Sequence, residues 1–321
     1  MKRILPALLC ALACATAIAQ PLTYQQPPQA IRTVLDAKPL PARFIDPTAA
    51  TLAIGEFRRY PSIEELSRPF LRLAGLRIDA AANGPQRVAH LDHLSLRALA
   101  DPSAPERVVA LPAEGDFHGF AFSPDGKRFT LLRTTANSTE LWLGDVAAAR
   151  AIAVPGIALQ NMDGAGIDWL DAQTIVARTI APDRAEAAKA GVPAGPVVQE
   201  SFGRKSPEPT FQDLLRNPRD AALFEHYATS VLTRIDLSTG ATRAIGPAAI
   251  YAGVTSMGDG RHLLVERITK PFSYSVGHWG FARDVLVIDR EGRVVKQLAP
   301  VALRENVPVQ GVVKGPRNWM R

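Results

Sequence analysis

The sequence predicts an all-β fold, a partial β-propeller of about four four-stranded blades with short helical insertions. Three observations carry this expectation. A strand–tight turn–strand frame recurs along the chain, a second turn-linked strand pair follows it each time, and each copy is long enough for a four-stranded unit. The clearest copy is Phe120-Ala121-Phe122, the turn Ser123-Pro124-Asp125-Gly126-Lys127, then Phe129 to Leu132. Pro presets φ at the first turn position and Gly supplies positive φ, so Pro-Asp-Gly between two apolar runs has a mechanism for turning.

The remaining elements follow in order. Arg43-Phe44-Ile45 leads through Asp46-Pro47-Thr48 to Leu52–Ile54. Ile167–Leu170 leads through Asp171-Ala172-Gln173 to Thr174–Ala177, and Val254-Thr255-Ser256 through Met257–Arg261 to His262–Glu266. The second hairpins run from Leu141-Trp142-Leu143 to Asp145-Val146, from Val231–Leu237 across Ser238-Thr239-Gly240 to Thr242–Ile245, and from Val285–Ile288 across Asp289–Gly292 to Val294-Val295. Units therefore start near residues 44, 122, 169 and 256. The uneven spacing places long insertions inside units one, three and four. Two insertions read as helical. Ser62-Ile63-Glu64-Glu65 is a capping box. Thr210-Phe211-Gln212-Asp213 has the form of a second helix start, and Asn217-Pro218 restarts it with Asn as cap and Pro at the first helical position. Ala181 to Pro209, rich in Ala, Pro and Gly, reads as a long excursion.

At the N-terminus, Lys2 and Arg3 precede an uncharged stretch, Ile4–Ile18, and the small-x-small site Ala17-Ile18-Ala19. This is the order of a secretory signal, expected to be cleaved after Ala19, which makes the protein periplasmic or secreted. Residues 1–19 are then the signal peptide, 20–42 an extended lead and 43–321 the blades. Both cysteines, Cys10 and Cys14, fall in the signal, so the mature chain has no disulfide and depends on packing. Loss of Lys2 and Arg3 lowers the net charge from +6 to +4. Basic residues are scattered without a run of five, which argues against a nucleic-acid partner. No later stretch is apolar and long enough for a membrane span.

No catalytic, cofactor-binding or metal-binding residue emerges. The nearest approach to a hydrolase Gly-x-Ser-x-Gly is Gly253-Val254-Thr255-Ser256-Met257-Gly258, with one residue too many before Ser256, which reads as a turn serine like Ser123. His90 and His93 flank Asp92 but lack a third ligand, and read as an exposed loop pair. His118, His226, His262 and His278 are isolated. Asp125, Asp145, Asp171, Asp236, Asp259 and Asp289 sit where an Asp bonds its own turn backbone. Trp142, Trp169, Trp279 and Phe122 read as strand residues in the core. Arg204, Lys205 and Arg219 read as solvated surface that an acidic ligand would also suit.

Four stretches resemble a known family: Pro61-Ser62-Ile63-Glu64-Glu65-Leu66 with Leu71–Ile78; Val198-Gln199-Glu200-Ser201 through Thr210–Leu215; Ala221-Ala222-Leu223-Phe224 with Tyr227-Ala228-Thr229-Ser230; and Lys270-Pro271-Phe272-Ser273-Tyr274. In this order they resemble the N-terminal propeller of the glutamyl endopeptidase branch of the prolyl oligopeptidase-type serine peptidases, from about residue 21 onward. The resemblance implies a propeller that restricts peptide access to an α/β-hydrolase domain cleaving after acidic residues. It also implies that the chain, ending at Gly315–Arg321, stops before that domain and is inactive alone, its peptide substrate reached only through the missing part. The rival readings are an autonomous periplasmic binding module for a peptide or envelope partner, and a propeller glycosidase with paired acids.

Overall fold

The structure, a computed structural model, describes residues 25–101, 103–164, 166–188 and 211–305. The signal, the tail from residue 306, Arg204 and Lys205 lie outside them, as does most of the excursion before Pro209. The chain divides into residues 1–38 and 39–321. In the first unit the lead is not extended throughout: α1 (Gln29–Leu35) is a short helix with no buried residue. Its sequence, Gln-Ala-Ile-Arg-Thr-Val-Leu, begins with good helix formers, and Thr33 Oγ1 donates to the Gln29 carbonyl at 2.9 Å.

The second unit contains four antiparallel meanders. Blade one comprises β1 (Ala42–Ile45), β2 (Thr51–Phe57), β6 (Leu91–Ala98) and β7 (Arg107–Val108), with α2 (Ile63–Ser67), β3 (Leu71–Leu73), β4 (Leu76–Asp79) and β5 (Gly84–Pro85) inserted before β6. Blade two comprises β8 (Asp116–Phe122), β9 (Arg128–Thr134), β10 (Thr139–Asp145) and β11 (Arg150–Ala153). Blade three runs β12 (Ile167–Asp171), β13 (Thr174–Thr179), β14 (Thr229–Asp236) and β15 (Thr242–Ala244), with α3 (Pro218–Ala228) before β14. Blade four runs β16 (Ala249–Ser256), β17 (His262–Ile268), β18 (Arg283–Asp289) and β19 (Val294–Gln297). A short pairing of β14 with β16, Thr229↔Ile250 and Ser230↔Ala249, joins the last two blades into one hydrogen-bonded sheet. The predicted all-β, four-blade partial propeller is thus present.

Strand alternation fills the spaces between blades. On β9, Phe129 and Leu131 pack with Leu94, Leu96 and Trp142 between blades one and two. Leu132, on the opposite face, joins Leu141, Trp169, Ile175 and Ile235 between blades two and three. A strand buried on both faces reads as a continuous apolar run, and Phe129 to Leu132 does. Val176, Leu232, Tyr251, Val265 and Leu286 form the core between blades three and four. The six turn aspartates behave as expected. Asp125, Asp145, Asp171, Asp236, Asp259 and Asp289 each accept backbone N–H groups two to four residues ahead, at 2.7–3.2 Å.

The three insertions all connect the second strand of a blade to the third, spanning residues 58–90, 180–228 and 269–282. Blade two makes the same connection with residues 135–138, closed by Thr135 and Ser138. The insertions share a core of their own, where Leu73 and Ile78 meet Leu223, Phe224, Tyr227, Val276 and Phe281. Phe272 and Phe281 stack there at 5.6 Å, and Phe224 meets both edge-on at 5.2 and 5.6 Å. Ser62 caps α2, its Oγ accepting the Glu65 N–H at 3.1 Å, which is one half of the predicted capping box. Asn217 Oδ1 accepts the Asp220 N–H at 2.9 Å as predicted, and Thr210 lies outside the described residues.

Residues 211–216 correct one expectation, because they are not helical. Asp213 takes φ +58°. Its carbonyl accepts the Gly75 N–H at 2.8 Å and its carboxylate accepts from Arg77 Nε at 2.8 Å, so tertiary bonds override the local cap signal.

Candidate functional site

The insertions and the β8 edge of blade two line an open cavity of about 850 Å³. The first insertion supplies Gly75, Leu76, Arg77 and the stretch 85–89. Strand β8 supplies His118 and Gly119, and the segment between β11 and β12 supplies Met162, Asp163 and Gly164. Gln212, Asp213 and Trp279 complete it.

His118 reaches the wall because β8 bulges. Pairing with β9 shifts between His118 and Ala121, and Gly119 takes φ +64° there with Leu132 packed against it. A bulge of this kind re-aims a side chain. His118 Nε2 lies 3.0 Å from Thr134 Oγ1. Burial pushes its pKa from 6.5 down to about 4, with Asp116 opposing the shift and His90 adding to it. The ring is therefore neutral at physiological pH.

His90 corrects the reading of an exposed pair, since its side chain is only 15 % exposed. Arg58 Nη2 donates to His90 Nε2 at 2.9 Å and to Asp92 at 2.9 Å. An arginine cannot accept, so Nδ1 carries the proton and donates to Asp116. His93 sits on β6 opposite Glu56. No group of three or more metal-ligating side chains occurs among the described residues.

The cavity's two carboxylates are already engaged. Arg178, 3 % exposed, grips Asp163 with both terminal nitrogens, and its Nη1 also donates to the Tyr251 carbonyl at 2.7 Å. Bidentate geometry makes this a strong pair. Asp213 lies between Arg72 and Arg77, cross-strand neighbours at 3.5 and 2.8 Å from it, whose guanidinium groups also stack on Phe70. Arg87 is exposed and has no ion pair among the described residues. Around the cavity the described residues thus set Arg72, Arg77, Arg87 and Arg178 against Asp163 and Asp213, an excess of positive charge in which Arg87 alone has no ion-pair partner among the described residues.

Trp279 is neither on a strand nor in the core. It lies in a 3-10 turn, His278–Gly280, is 41 % exposed and lines the cavity. The indole lies on Gly75 and Gly277, where an added Cβ would fall 2.3 and 2.2 Å from its ring. Phe211 meets it edge-on at 5.5 Å. Trp142 and Trp169 are buried as expected, and Phe122 is partly buried against the first inter-blade core. Ser256 is buried at the end of β16, its N–H donating to Asp168 at 2.6 Å and its Oγ accepting from Gly258, which is the turn role expected. Arg219 is an exposed residue of α3. The sequence reading missed the cavity itself. The one signal that bore on it was the placing of long insertions inside units one, three and four, whose shared strand junction only the structure reveals.

No protein-family model matches the chain. Two curated plant proteins, each named "Probable glutamyl endopeptidase, chloroplastic", are similar to it. The one from Oryza sativa subsp. japonica is 30 % identical over 311 residues, 92 % of this chain and 33 % of that protein. The one from Arabidopsis thaliana is 31 % identical over 312 residues, 92 % of this chain and 32 % of its own length. A solved prolyl endopeptidase structure superposes with a TM-score of 0.42 at 12 % identity, over 81 % of this chain and 28 % of that one. The chain spans about a third of the length of the curated relatives it matches. Across nine-tenths of its residues the chain is thus similar to one third of the length of proteins named as probable glutamyl endopeptidases.

Proposed function

We propose that the chain is the non-catalytic propeller portion of an exported glutamyl endopeptidase-like serine peptidase, and that it controls how acidic peptides approach the site of cleavage. The observation that carries this reading is the 30–31 % identity to proteins named as glutamyl endopeptidases across 92 % of the chain. The described residues add a compatible surface, a cavity with an unpaired guanidinium and no serine set beside a histidine–carboxylate pair. Export rests on Lys2-Arg3, the uncharged run and Ala17-Ile18-Ala19. The test is direct. The purified chain neither hydrolyses Glu-containing peptides above background nor reacts with a fluorophosphonate. A polypeptide extended to the length of the relatives does both. Stoichiometric labelling of a serine in the chain itself, Ser256 included, overturns the reading. For export, periplasmic material starts at Gln20 by intact mass, and a soluble cytoplasmic product retaining residues 1–19 overturns it.

A further inference from the structure

We propose that Trp279 is an aromatic platform for a bound peptide, holding the nonpolar side chain that neighbours an acidic residue while Arg87 receives the carboxylate. The inference rests on the reading above that acidic peptides are handled by this chain.

The platform is built rather than incidental. Trp142 and Trp169 are buried at 8 % and 7 % exposure, whereas Trp279 is 41 % exposed and lines the cavity. It is nonetheless fixed. Gly75 and Gly277 lie under one edge of the ring with no room for a Cβ, and Gly75 takes φ +82°, which favours glycine. The Cβ position of Gly75 lies 3.4 Å from Gly277 Cα, so both glycines support the same side of the indole. Phe211 and His278 meet the ring edge-on, each at 5.5 Å. A rigid, half-exposed aromatic gives up little conformational entropy on binding and offers a large contact area. Leu76 and Met162 extend the apolar lining.

Charge selects the partner. Asp163 is engaged by Arg178 and Asp213 by both Arg72 and Arg77, so among the described residues the Arg87 guanidinium is the cationic group on the wall without an ion-pair partner. A cavity with a fixed aromatic surface and a guanidinium that no described carboxylate pairs suits a peptide presenting a nonpolar side chain beside a carboxylate.

The test is calorimetric titration of the full chain with acetyl-Ala-Phe-Glu-Ala-amide and with versions carrying Gly for Phe or Gln for Glu. Replacing Phe by Gly weakens binding about tenfold, the scale of one well-placed aromatic contact with its buried area. Trp279→Ala abolishes that Phe-over-Gly preference and keeps the Glu-over-Gln preference, whereas Arg87→Gln does the reverse. Trp279→Phe retains most of the Phe preference and guards against a folding defect in the alanine variant. A Phe-over-Gly ratio unchanged in folded Trp279→Ala overturns the platform, as does no binding of any of the peptides. Equal binding of Glu and Gln peptides by the unaltered chain, with a ratio that still depends on Trp279, instead overturns the acidic-peptide reading and leaves the platform standing.

Discussion

Acidification probes the cavity wall through His118. Folding holds this ring neutral, since burial lowers its pKa from 6.5 to about 4. In the unfolded chain the ring takes up a proton as the pH drops through its ordinary value, while the native ring does not. Between about pH 6.5 and 4 the unfolded state therefore binds more protons, and stability falls as pH falls. At about 1.4 kcal/mol per unit, the shift corresponds to about 3 kcal/mol lost by pH 4, and to nothing above pH 7. His226 and His278, also lowered by burial, add to the same slope, so the diagnostic quantity is the difference between the native chain and His118→Gln. Glutamine keeps a hydrogen-bonding group toward Thr134 and does not titrate. Urea unfolding at pH 7.5, 5.5 and 4.5 measures it: the native chain loses more of its midpoint on acidification than the variant does. Parallel pH dependences for the two proteins would refute the argument that burial of this ring stores the difference.

Three further outcomes follow from the packing. Gly144→Ala places a Cβ 2.0 Å from the ring of Phe129, which is fully buried, and overpacking there lowers stability by about 2–3 kcal/mol in chemical denaturation. Asp163→Ala leaves the Arg178 guanidinium buried with a single carbonyl partner, and the loss is about 3 kcal/mol, read as a lowered Tm. Asp236 is held down to about 2 by the Ser238 hydroxyl and the N–H groups of Ser238 and Thr239. Its contribution is present above about pH 4 and fades as pH falls toward 2, so Asp236→Ala narrows the stability gap between pH 5 and pH 2.5.

The blades were legible because each strand carries its own signal. Phe129 to Leu132 is apolar on both faces and is buried between two neighbouring blades, and Asp125, Asp236 and Asp289 close their turns through their own side chains. Asn217-Pro218 started a helix as its cap chemistry dictates. The cavity was not legible, since its geometry comes from residues far apart in sequence. Gly75 and Trp279 touch across two insertions, as do Arg77 and Asp213. Asp213 shows the reason: a local helix start gave way to bonds with Arg77, Arg72 and Gly75, none of which a window of neighbouring residues contains. Trp279 misled for a related reason. Its apolar character suggested burial, while its 3-10 turn and glycine support leave it half exposed.

The placement of all three insertions at the same strand junction has a consequence for how such a chain changes over generations. A junction between two paired strands can lengthen without removing a ladder hydrogen bond, and each doubling of loop length costs only about 0.6 kcal/mol in closure entropy. Residues that face the cavity are thus free to vary in number and kind while the meanders keep their register. Blade two, whose corresponding link is just residues 135–138, shows that a meander closes here without any insertion. Loop exchange at that junction can then alter ligand preference while the inter-blade packing of Phe129, Leu132 and Val176 stays as it is.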